Sequence, residues 1–156
     1  MLFWGVAMGA SALLMLVIEN WETPQKIRTV TALFALGGAA AFPLGLILAR
    51  FLSYRRQHET AFAVAFLSLA FATVCITAGL FALQYRDYYS QWHADTFTLI
   101  WFLQFTHTIA AALYQFAVLG LRLFFPFGFA ALLVVSFWFA RRGALSIPPA
   151  SVRERR

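Results

Sequence analysis

Residues 96–140 read "TFTLIWFLQFTHTIAAALYQFAVLGLRLFFPFGFAALLVVSFWFA". This run decides the fold, because it is apolar almost throughout and too long for one ordinary membrane crossing. A bilayer core of roughly 30 Å takes about 20 residues of helix. Gly120, Arg122, Pro126 and Gly128 interrupt the run. They predict two helices, 96–118 and 123–140, joined by a tight turn. In the alternative, 93–118 lies in the interface or re-enters, and only 120–140 crosses.

Three further apolar runs precede it, over 2–18, 29–52 and 60–85. Polar stretches separate them: "ENWETPQKIR" (19–28), "SYRRQHE" (53–59) and "RDYYSQWHAD" (86–95). Pro24 reads as a breaker in the first of these, and Trp21 suits the membrane interface. Pro43 should kink the second run. The expected fold is an all-α integral membrane protein, a bundle of five transmembrane helices or four. Residues 1–140 form its single domain. The remainder, 141–156, is a basic, flexible tail that cannot build a core.

Composition agrees. Of the 156 residues, 62% are hydrophobic and 12% charged, with a mean hydropathy of +0.76. A soluble fold of this size could not bury so much apolar surface. The chain has a formal net charge of +6. Most of its basic residues stand at the ends of apolar runs, where they set topology and touch anionic headgroups. That argues against nucleic acid as a partner and for the lipid bilayer. Arg141 and Arg142, with Trp138 just before them, read as an interfacial anchor. The N-terminus lacks the charged start of a secretory signal and reads as a retained helix. Cys75, the single cysteine, has no intrachain partner for a disulfide.

Charge does not choose between the crossing numbers. Five crossings with the N-terminus outside put Lys26, Arg28, Arg86, Arg141, Arg142, Arg153, Arg155 and Arg156 inside. Arg50, Arg55, Arg56 and Arg122 are then outside. Four crossings with the N-terminus inside put Arg50, Arg55, Arg56 and the five C-terminal arginines inside, against Lys26, Arg28 and Arg86, with Arg122 on neither side of the count. Both patterns obey the positive-inside bias, and both leave the tail cytoplasmic. Five is preferred here because 96–118 is apolar enough to insert. The expected location is a bacterial inner (plasma) membrane.

Two rows of small residues suggest close helix packing. Ala61, Ala65, Ser68, Ala72, Cys75, Gly79 and Ala82 recur at alternating spacings of four and three. Gly37, Ala41 and Gly45 recur at four. Small residues let helix backbones approach in lipid, where no hydrophobic force drives them together. The expected use is pairing of the second and third helices, or contact with another subunit.

Gln104, Thr108, His107 and Gln115 make the run from 96 unusual. At about 100° per residue, with Gln104 at zero, His93 falls near −20°, His107 near −60°, Gln115 near +20° and Arg122 near 0°. An unbroken helix would carry them all on one stripe, facing protein, water or a cofactor. His107 with Gln104 and Gln115 is the candidate cofactor site. A b-type haem needs a second axial ligand, and the other histidines are His58 and His93. His93 lies about 21 Å along the helix from His107, so a haem within one chain is disfavoured. A quinone would use His107 with Gln104 or Tyr114. No carboxylate falls inside a predicted span, which argues against a carboxylate-driven pump. His93 and Asp95 are too few for a metal site. Metalloprotease, nucleophile-elbow and phosphate-loop motifs are absent.

The first functional expectation is therefore a small non-catalytic membrane subunit that assembles with or stabilises a larger membrane complex, with no cofactor of its own. The alternatives are a redox protein binding haem or quinone near His107, and a small transporter or channel lined by the stripe.

Overall fold

A computed structural model describes residues 1–20, 22–54 and 57–144. Trp21, Arg55, Arg56 and the tail from 145 onward lie outside the described residues. The chain is all-helical there. Helix α1 spans Leu2–Glu19 and ends at Asn20, which adopts the left-handed conformation (φ 47°, ψ 36°) and donates its N–H to the Leu16 carbonyl. Asn is one of the few residues that tolerates this geometry. Helix α2 spans Pro24–Leu52. Pro24 is its first residue rather than a breaker, since a missing N–H costs nothing in the first turn. Pro43 removes one donor from the ladder, yet the helix continues past it. Helix α3 is the longest, His58–Ser90.

The decisive run forms four pieces. Helix α4 spans Leu99–Gln115 and is capped by Thr98, whose hydroxyl accepts the Trp101 N–H. A π-helical turn follows at Phe116–Gly120 and a 3₁₀ turn at Leu121–Phe124. Helix α5 then spans Phe127–Ala144. Four stretches among the described residues are long and apolar enough to span a bilayer: Leu2–Glu19, Pro24–Leu52, His58–Ser90 and Leu99–Phe124.

Contacts show how they assemble. α2 packs between α1 and α3; α5 packs against α3 and α1, closing a four-column bundle; α4 leans on α3 from outside. The α1–α2 crossing is close. A Cβ on Gly5 would stand 2.7 Å from the Ala35 carbonyl oxygen, and one on Gly9 2.9 Å from the Ala35 Cβ. At the α2–α3 crossing, a Cβ on Gly37 would stand 2.5 Å from Thr77 Oγ1, and one on Gly45 2.8 Å from Leu69. Backbones this near gain dispersion contact that larger side chains would forbid. The buried Trp4 ring donates its Nε1–H to Thr73 Oγ1 at 3.1 Å, tying α1 to α3.

Two contacts orient the last column. His58 at the start of α3 meets the Ala140 carbonyl near the end of α5, 3.2 Å away. At the opposite end, Arg122 pairs with Glu19 at 3.0 Å. The fourth column is therefore the turns from Phe116 onward continued by α5. α4 takes a different course. The Arg86 guanidinium lies over the Phe105 ring, 5.4 Å from its centroid, whereas Phe116 meets Phe81. From Phe105 to Phe116, α4 and its continuation advance about twice as far along the sequence as α3 does from Arg86 to Phe81. A helix running alongside α3 would match it residue for residue, so α4 crosses α3 obliquely near the Ser90 end.

Candidate functional site

A cavity of about 630 Å³ opens at the Glu19–Arg122 end, walled by α1, α2, α3 and the turns after α4. Its depth is apolar: Leu16, Phe34, Phe81, Phe116 and Leu123. Phe34 is central, with ring centroids 6.0 Å from Phe116 and 4.8 Å from Phe124. Its mouth is polar. Glu19 is paired with Arg122, and Glu22 with Lys26 at 3.3 Å. Gln84, Tyr85, Tyr89 and Gln115 also line the cavity, Tyr85 half-buried and the other three exposed. Tyr85 interacts with both Tyr89 and Gln115.

The wall carrying Phe116 depends on the π turn. Phe116 opens that turn and Gly120 closes it. A Cβ on Gly120 would lie 2.7 Å from the Phe116 ring. Glycine thus makes room for the ring one turn earlier, and the ring stays buried against the floor. Single π turns are rare and concentrate at functional positions.

The polar stripe is not one surface. His93 is in the loop before α4, and its Nε2 lies 3.2 Å from Thr108 Oγ1. Gln104 Oε1 accepts the Ala94 N–H at 2.8 Å. Thr106 and Thr108 donate their hydroxyls to the carbonyls four residues back, Phe102 and Gln104. The His93 and Ala94 contacts fasten the loop onto α4, and the two threonine hydroxyls bond within the helix. The expectation of a continuous stripe assumed an unbroken helix from 93 to 122. The helix begins only at Leu99 and changes pitch at Phe116, which redistributes the residues. His107 is exposed, and Ala112 is the buried residue of α4. Gln115 alone of the three cofactor candidates lines the cavity; His107 and Gln104 do not.

The small-residue rows separate in the same way. Gly37, Ala41 and Gly45 are all buried, and the two glycines face α3. On α3, Ala61, Ala65, Ser68 and Ala82 are buried, Ala72 is half-buried, and Cys75 and Gly79 are exposed. Nothing lies within 4 Å of a Cβ added to Gly79. The buried line passes instead through Leu69, Thr73 and Thr77. A spacing of 3.5 drifts relative to a straight helix, and the contact follows steps of four. Arg141 stacks on Phe137 and Arg142 on Trp138, with guanidinium carbons 4.3 and 4.0 Å from the ring centroids.

Sequence reading missed two features. Gly5 and Gly9 form a G-x-x-x-G pair in α1, a signal present in plain view. The cavity residues come from four distant stretches and share no motif, so no local pattern marks them. Among the described residues, no cluster of three His, Cys, Asp or Glu side chains could hold a metal. Comparison with protein-family models, curated proteins and solved structures returned no match.

Proposed function

We propose that the chain is a small non-catalytic membrane subunit that assembles with or stabilises a larger membrane complex. One observation carries this reading: α4 is an apolar helix held by one face only. Leu99, Ile100, Phe102 and Leu103 on it are all exposed. A helix set obliquely at the rim, stiffened by its own loop, offers a partner helix an apolar ridge that the bundle does not need for itself. The close packing of the other columns makes the bundle a rigid platform for it.

The orientation belongs to the same proposal. With Arg122 paired to Glu19, it falls at the end that carries Lys26, Arg28 and Arg86. The opposite end carries Arg50, Arg141 and Arg142 and, by sequence, Arg55, Arg56 and the tail arginines. The positive-inside bias then assigns that second end to the cytoplasm, with both ends of the bundled chain there. A bacterial inner membrane is the setting in which this rule is strongest.

The competing reading, haem or quinone centred on His107, has less support. His107 is exposed, away from the cavity. A transporter lined by the stripe loses its lining once those groups bond the loop. Mild detergent extraction from a native host followed by native mass spectrometry tests the proposal. A stable complex with another membrane subunit is expected, and an α4 variant with Ile100→Ser and Leu103→Ser should lose it. A monodisperse partner-free protein from the same extraction would sink the idea.

A further inference from the structure

We propose that the cavity under the π turn binds a neutral amphipathic molecule whose head accepts hydrogen bonds, of the membrane-quinone type, with its ring among Phe34, Phe81 and Phe116. The inference is independent of whether the chain joins a complex. The cavity falls within the 300–1,000 Å³ range of small-molecule sites and shares their layout, an apolar body with a few convergent polar groups. Phe rings favour offset or edge contact with another ring. Tyr85, half-buried, and Gln115, exposed, stand together on the cavity wall, and a hydroxyl and a side-chain amide can each donate to a carbonyl oxygen.

The charges at the mouth narrow the choice of head. Arg122 and Lys26 are each already paired with a carboxylate, Glu19 and Glu22. Each pair is charge-neutral, so a phosphate head gains little net attraction at the mouth. A neutral head passes between them without disturbing either. The mouth therefore offers an anionic head no net positive charge, and the Tyr85 and Gln115 groups on the wall suit a carbonyl. The π turn is the second mark of a built site. It sets Gln115 and the Phe116 ring on the same wall at consecutive positions, with Gly120 leaving space for that ring.

The test uses the full chain in nanodiscs of phosphatidylcholine, titrated with decylubiquinone, with empty nanodiscs correcting for partition into lipid. Saturable binding at one molecule per chain is expected. The double variant Tyr85→Phe with Gln115→Leu keeps the shape of the wall and removes both donors. It should weaken binding tenfold or more while retaining wild-type helical circular dichroism. His107→Ala should bind as the wild type does. No saturable binding by the wild type would overturn the proposal. So would a stoichiometric phospholipid that stays in the purified protein and resists displacement by decylubiquinone, or a folded double variant that binds unchanged.

Discussion

Thr77 shows how much one contact can decide. Its side chain stands against Gly37, so that an added methyl at 37 would meet Oγ1 at 2.5 Å and the Thr77 backbone at 3.0 Å. The backbone cannot move aside as a flexible chain end would. Gly37→Ala should therefore destabilise the bundle by about 1–3 kcal/mol, the usual cost of overpacking. Gly79→Ala, two residues further along α3 from Thr77, meets open space. It should be neutral or stabilising by up to about 1 kcal/mol through helix propensity. Unfolding of both variants in mixed micelles measures the difference; equal effects would contradict the assigned crossing. The sequence marked Gly37 and Gly79 alike, because size alone cannot tell which face of a helix meets a neighbour. Thr73 and Thr77 were overlooked for the same reason. They are larger than Ala, yet Thr73 supplies the acceptor for Trp4 and Thr77 the surface for Gly37.

At the scale of elements, α4 and its loop form a unit tied to the bundle chiefly through α3. His93 to Thr108 and Ala94 to Gln104 hold residues 91–98 down on the helix. Phe97, at the turn between them, has a positive φ of 68° and is almost fully exposed. A bulky residue is held in that region only when its surroundings enforce it. Gln104→Leu combined with His93→Ala should release the loop. Amide hydrogen exchange should then rise by tenfold or more across 92–98 and stay unchanged in α1 to α3. A rise throughout the bundle would show that the loop does more than anchor itself. The helices here were legible in the sequence, since apolar runs of 17 or more residues admit few other readings in lipid. The course of α4 was not. Hydropathy measures length and polarity, whereas the angle between α3 and α4 follows from contacts between residues nineteen or more positions apart. The π turn, which sets the cavity wall, leaves no trace in hydropathy.

Across the whole molecule, the contact of His58 with Ala140 and the pairing of Arg122 with Glu19 place four column ends together at each pole. On the proposed orientation, a fluorescent protein fused to either end of the chain should fluoresce, because it remains in the cytoplasm. Alkaline phosphatase fused after Gln91 should be active, because that loop lies outside. Inactive phosphatase at this site, with dark fusions at both ends, would reverse the assignment. The ring order also constrains how the protein is made. α1, α2 and α3 are neighbours in the chain and in space, so each can pair with its predecessor as it leaves the insertion machinery. α5 touches α1 and α3, which are both long since inserted, and it arrives last. Until then, the groove between α1 and α3 stands open to lipid or to whatever insertion factor shelters it. The column that closes the bundle is thus also the latest step at which its assembly can fail.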